Sequence, residues 1–515
     1  MKKISVFLLL VLITVTSCKK YLDVNTTPNN PTAVPPSTIL PVTTITLGFA
    51  SSNDLGRAAS ALVQHIAGVA NQTAAYDVYN LDGSFDNQWN GEVYGNALNN
   101  LQILIDQYAA TSPAYSGIAK LEMAYIYSVA TDIWGEVPYS QAAQGLKFAA
   151  PRFDKQEDIY QGNAALGITS LFDLVKSGLA DLAKTPNVLV PGSDDLVYKG
   201  DLTKWARMGN TLLLKFAIQV SNKNPALATS TIASVITGNN YINSNAVDFE
   251  VPFGATVGNQ NALFTFNNVN RTGDQMLSAR LLALERSLND TIRLAKFFTK
   301  TRVIPATPGP LPPFSFVAFD NGATSAVPAL ATRSKYNAYL TGAVGGGDSA
   351  AGNVPVSSGT PPGSTGGAAP IRLLTYAQVQ FILAESAVIL GTAGVANTYY
   401  QNGITASMQK VGMTPAEITN YFTTNPTVVT LSGTPEQQRQ QIITQKYISW
   451  IGNGIEAYND YRRTGYPVLT LVNNAAGDNP NVIPTRLPYT QTELSSNPNA
   501  PNPRPKTDVK LWFAK

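Results

Sequence analysis

"YSVATDIWGEVPYSQA", residues 127–142, marks the end of a helix and the start of something irregular. The apolar positions before it, from Ile118 to Ala130, recur at helical spacing, and Gly135 suits a left-handed C-terminal cap. Pro138 then prevents the helix from resuming, and Trp134 is placed to close the end of a helical pair. Just downstream, "FAAPRFDKQEDIY" offers Asp154 as an N-cap with Glu157 three residues on, the spacing of a capping box. Outward from this point the same texture repeats. Apolar residues at i, i+3, i+4 and i+7 predict helices over 55–69, 93–108, 118–130, 159–182 and 205–220. Further helices are expected over 276–288, 376–390, 398–408, 415–422 and 435–451. Short Gly, Pro and Asn breaks between neighbours read as helical hairpins stacked in series. No clean 34-residue repeat is present, so a tetratricopeptide-type solenoid would have to be degenerate.

Residues 245–272 and 300–335 interrupt the helical texture with β-favouring and loop-like stretches such as "VDFEVPFG" and "PFSFVAFD". Residues 341–370 are rich in Gly, Ser and Pro and read as a surface insertion within one architecture, because helical patterning resumes directly after them. The expected division is therefore residues 1–17, a tether over 18–40, and a single mostly α-helical domain over 41–515.

The start of the chain has the layout of an export signal. Lys2 and Lys3 precede an apolar core, Ile4 to Thr14, shorter than the roughly 20 residues a spanning helix needs. "VTSC", residues 15–18, resembles the lipobox of bacterial lipoproteins, with Val15 where Leu is commoner. Cys18 is the sole cysteine, so it makes no internal disulfide and builds no zinc cage; it is the expected lipidation site. The Asn-, Thr- and Pro-rich segment after it reads as an extended tether. Lys19 lies where an inner-membrane retention signal would place Asp.

Charged residues make up 13% of the chain, about half the usual share, and the formal net charge is +3. No basic stripe runs along any segment, which argues against nucleic acid. A near-neutral surface of amides and hydroxyls with 23 Tyr and 5 Trp suits an uncharged polar ligand such as a glycan or a peptide. His65 is the one histidine; it lies on a helical apolar pattern and reads as a partly buried structural residue. With it go His-based zinc sites and most hydrolytic triads. No cofactor or metal site is expected.

Taken in order behind the lipobox, "DIWGEVPYSQA", "PRFDKQEDIY", "RLLTYAQVQFILAE", "YNDYRRTGYP" and "IPTRLPY" resemble the SusD/RagB family of Bacteroidetes surface lipoproteins. The resemblance runs from "SCKKYLD" into the last fifty residues. It implies a mostly α fold, a tetratricopeptide-like scaffold of four helix pairs carrying an irregular, loop-rich ligand-binding half with minor β structure. It also implies a non-enzymatic protein at the outer face of the outer membrane. Such a protein would bind a glycan, or in some members a peptide, and pass it to a SusC-like TonB-dependent transporter.

Ligand contacts in that family come from loop aromatics, whose flat faces stack on sugar C–H surfaces while amides and carboxylates bond the hydroxyls. The stretch "YDVYNLDGSFDNQWN", residues 76–90, offers Tyr76, Tyr79, Asp82, Phe85, Trp89 and Asn90. The same aromatics could instead pack onto the scaffold. "PPFSFVAFD" adds Phe314 and Phe316, whose alternation with Phe319 also fits one buried strand face, and "NNVNRTGDQM" adds Arg271 as a donor. Trp134, Trp205 and Trp450 lie in helical texture and are expected in the core, and Arg462, Arg463 and Asp460 are expected to form a structural ion pair. Two other classes remain open on sequence grounds: a secreted glycoside hydrolase, which needs two carboxylates flanking its substrate bond, and a helical-repeat scaffold with protein partners alone.

Overall fold

The structure, a computed structural model, describes residues 34–301, 313–342 and 366–515. Cys18, the export signal and most of the insertion at 341–370 lie outside the described residues. Helices dominate and pack as neighbours in the chain. Pro113–Trp134 lies against Leu171–Leu182, Leu202–Val220 against Pro225–Gly238, Tyr376–Ile389 against Ala396–Lys410, and Pro435–Ser449 against Gly454–Thr464. Glycine sets one of these approaches. A Cβ on Gly117 would come within 2.8 Å of Leu182 Cδ2 and 2.9 Å of the Gly178 carbonyl, so the two backbones meet where side chains are missing. One continuous apolar core runs from Ile39 to Tyr489 and takes in Trp134, Trp205 and Trp450 as expected.

Four of the five segments that carried the family resemblance converge on the helix end at Trp134. Gly135 has φ of +88°, and a Cβ there would meet Leu511 Cδ2 at 2.8 Å. The Trp134 indole donates to the Pro488 carbonyl at 3.1 Å, the Leu487 amide to Ile133 at 3.0 Å, and the Tyr489 hydroxyl to Glu136 at 2.6 Å. Val137 pairs with Asp154 in a two-stranded ladder, and Asn459 Nδ2 donates to the Asp132 carboxylate at 3.1 Å. These motifs are therefore an internal knot, remote in sequence and joined in space.

A second knot is ionic. The buried Glu385 carboxylate takes both terminal nitrogens of Arg463 at 2.6 and 2.8 Å and Arg439 Nε at 2.9 Å. Burial alone would raise its pKa, but Arg463 and Arg439 outweigh it and hold it at about 2. Arg463 also binds Asp460 at 2.8 Å, and Lys446 reaches the same carboxylate at 2.9 Å. The pairing of Arg463 with Asp460 read from "YNDYRR" is thus structural and links two helical pairs, whereas Arg462 donates instead to the Thr485 and Tyr458 carbonyls, each at 3.1 Å.

Several boundaries differ from the sequence reading. Pro36–Ser52 is a helix that begins inside the segment read as a tether. The helix expected over 55–69 stops at Leu62, and Ile66–Gly68 forms a short antiparallel ladder with Gln275–Leu277, which also removes the first turn expected at 276. The stretch 159–182 breaks into Gln156–Gln161 and Leu171–Leu182. Asp154 is no N-cap: it lies in the short strand, and its carboxylate accepts the Ser140 amide at 2.6 Å and Arg152 Nε at 2.7 Å. His65 is fully buried just beyond a helix end, its Nε2 at 3.1 Å from the Tyr447 carbonyl, and burial pushes its pKa down to about 3.

Candidate functional site

The irregular half is built from segments 66–90, 249–277, 298–301, 313–336 and 466–482. Asp77, buried, accepts Asn321 Nδ2 and the Gly322 amide, each at 2.6 Å, and burial raises its pKa to about 6. Arg280 holds Asp320 at 2.8 Å and the Thr470 and Leu471 carbonyls at 2.8 and 2.9 Å. The Ala476 amide donates to Val78 at 2.7 Å. Three loops distant in sequence therefore form one surface.

Within 76–90 the structure separates the site residues into two groups. Tyr76, Tyr79, Phe85 and Trp89 point inward and are all at most 3% exposed. Tyr76 stacks on Phe85 with centroids 5.6 Å apart. Trp89 is enclosed by Trp134 at 4.8 Å, Phe153 at 6.2 Å and Tyr489 at 6.1 Å, and the Tyr79 hydroxyl accepts the Val472 amide at 3.1 Å. As the loop stands, none of these faces is open to a sugar. Tyr79 and Phe85 hold φ of +69° and +78°, a left-handed backbone that is costly for aromatic residues. Asp82 and Asn90 are exposed, with Asp82 held by Arg504 at 2.8 Å.

Arg271 is exposed, and Phe314 and Phe316 are half-buried. Phe314 and Phe316 do not lie in a continuous strand; isolated bridges, Thr301 with Ser315 and Ser278 with Phe319, hold this segment, and Phe319 takes the buried position. The outward set is thus Asp82, Asn90, Arg271, Phe314 and Phe316.

Two π-helices, Asn87–Leu98 and Thr265–Asn270, adjoin this surface. A polar relay connects them. The Arg57 guanidinium lies 3.4 Å from the Phe266 ring centroid and binds Asp54 at 2.6 Å, and the other Asp54 oxygen accepts Gln88 at 3.2 Å. Glu92, one turn on, accepts Asn53 at 2.6 Å, and burial pushes its pKa up to about 7. Nearby, Lys300 Nζ stands 5.2 Å from the Phe316 centroid. Sequence reading missed Arg57, Phe266, Glu92 and Lys300, because no periodicity or motif links residues that meet only through tertiary packing. Among the described residues, no cluster of three or more His, Cys, Asp or Glu could hold a metal ion. No described helix is long and apolar enough to cross a membrane.

The SusD-like family model, described as starch-binding and associating with the outer membrane, matches residues 28–490. No curated protein matches the sequence. Among solved structures, a chitin-binding protein is 24% identical with a TM-score of 0.75, covering 93% of this chain and 100% of its own. A chitin-binding SusD homolog from Flavobacterium johnsoniae is 20% identical with a TM-score of 0.70, covering 93% and 97%. A SusD/RagB family protein from Bacteroides thetaiotaomicron is 21% identical with a TM-score of 0.71, covering 93% and 99%. These likenesses establish the fold: helical pairs carrying a loop-rich half. By the match across 28–490, the chain belongs to the SusD-like family.

Proposed function

We propose that this protein binds an oligosaccharide on the loop half and delivers it to a SusC-like TonB-dependent transporter. It acts as a lipoprotein tied through Cys18 to the outer face of the outer membrane. The observation that carries the reading is the family match over nearly the whole chain, on a scaffold whose irregular half is mounted as one knitted surface. The outward residues Asp82, Asn90, Arg271, Phe314 and Phe316 supply donors, acceptors and ring edges, and the buried aromatics of 76–90 fix the backbone that presents Asp82 and Asn90. The chemistry required is recognition without bond cleavage. Titration of the purified protein with a polysaccharide panel tests this: saturable binding with no release of reducing sugar supports it, and sugar release would replace it with a hydrolase. Cys18→Ala should move the protein from the membrane to the soluble fraction; unchanged membrane retention would remove the anchor. A detergent pull-down that recovers a large β-barrel supports the transporter partnership, and recovery of the bait alone would end it.

A further inference from the structure

Charge is spread unevenly along this chain. Residues 262–337 hold nine Lys and Arg against four Asp and Glu, whereas the whole chain holds 36 against 33. The four acids of this stretch are already engaged or buried. Asp320 is held by Arg280, Asp290 by Arg293, Asp274 accepts Asn71 Nδ2 at 2.9 Å, and Glu285 is fully buried beside Asp290 and Arg293. Among the described residues of this stretch, Arg271, Arg286, Lys296, Lys300, Arg333 and Lys335 have no carboxylate bound to them, and Arg271, Lys300, Arg333 and Lys335 are the four that the backbone brings to one edge.

Arg333 and Lys335 are the informative pair. The Arg333 guanidinium is fixed by two carbonyls, Nε to Pro328 at 2.8 Å and Nη1 to Gly273 at 2.6 Å, which orient the fork without neutralising it. Asp274 is the one carboxylate whose field reaches it. Lys335, two residues on, is half-buried; burial and then the Arg333 charge lower its pKa to about 8, so both groups stay mainly charged at neutral pH. The backbone draws the other two cations to the same edge. The Thr299 amide donates to the Lys335 carbonyl at 2.9 Å beside Lys300, and the Gly273 carbonyl that holds Arg333 is two residues from Arg271. Half-buried like charges held side by side repel each other, and an arriving anion would relieve that repulsion while accepting charge-assisted hydrogen bonds.

Resting on the glycan-binding reading, we infer that the Arg333–Lys335 edge, flanked by Arg271 and Lys300, is a subsite for the anionic substituent of an acidic oligosaccharide. A uronate carboxylate and a sulfate ester share the chemistry that would fill it. Phe316, under Lys300, and Phe314 offer ring edges for the sugar that carries the charge.

The test is calorimetric titration of the full mature chain in detergent with five probes. These are oligogalacturonate, a chondroitin sulfate oligosaccharide, malto-oligosaccharide, chito-oligosaccharide and an Asp/Glu-rich peptide. The expected result is binding of one anionic sugar at least about tenfold tighter than either neutral one, weakened by added salt. The carboxylate and sulfate arms say which anion is read. Lys335→Met, which keeps the stem, and Arg271→Gln, which is exposed, should each cost about tenfold in that affinity while leaving the melting temperature unchanged. Equal or better binding of the neutral sugars overturns the subsite and leaves the glycan-binding function standing. Preference for the acidic peptide overturns both. Unchanged affinity in Lys335→Met, or no binding by either anionic sugar, overturns the subsite.

Discussion

The ion knot of the helical pairs buries charge and answers it; the Arg333–Lys335 edge of the loop half leaves charge open. Glu385 has two arginines bonded directly to it and lies wholly inside, while Lys335, half-buried, has no carboxylate among the described residues. Aromatic residues divide the same way: Trp89 and Trp134 pack edge to face in the core, whereas Phe314 and Phe316 keep part of their rings outside. The contrast teaches that ion pairs hold the helical pairs together, while the loop half keeps cations to which no carboxylate is bound among the described residues.

The comparison breaks most visibly at Glu385. Glu385→Ala leaves Arg463 and Arg439 buried without their counter-charge and should cost roughly 5 kcal/mol of stability by chemical denaturation. A loss under about 1 kcal/mol would show that the ion knot is not structural. Trp89→Ala should follow at about 4 kcal/mol, because it empties a site enclosed by Trp134, Phe153 and Tyr489. A stable variant with lost ligand binding would instead place Trp89 in the binding surface.

Glu122 sharpens the scaffold side through pH. It is fully buried, accepts Thr43 and Thr44 hydroxyls at 2.8 and 2.6 Å, and burial raises its pKa from 4.5 to about 8. The native state therefore holds a proton that the unfolded chain releases. Its contribution is present in acid and is lost as pH rises from about 4.5 through about 8. Relative to Glu122→Gln, the wild type should lose on the order of 3 kcal/mol between about pH 5 and pH 9, measured by denaturation at each pH. Parallel profiles for the two proteins would contradict this.

Much of the scaffold was legible because amphipathic periodicity survives in Leu202–Val220 and Leu171–Leu182. Where it failed, packing overrode local pattern. The first turn of Pro36–Ser52 falls in the segment that reads as an extended tether, and burial against several helices makes it helical. Ile66 and Val69 continue a helical spacing by coincidence, and pairing with Gln275–Leu277 decides their conformation. Gly454–Thr464, rich in charge, was not among the expected helices, and its charges are answered inside. In the site, the composition of 76–90 was legible and its direction was not. Backbone turns at Tyr79, Gly83 and Phe85, all with positive φ, send the aromatics inward and leave Asp82 and Asn90 outside.

The most direct test of this division pairs Phe316→Ala with Trp89→Phe. Stability and affinity for the best-binding oligosaccharide are measured on both. Phe316→Ala should stay within about 0.5 kcal/mol of wild-type stability and lose about tenfold in affinity. Trp89→Phe should lose stability and keep its affinity. Full affinity in Phe316→Ala, or selective loss of binding in Trp89→Phe, would contradict the account.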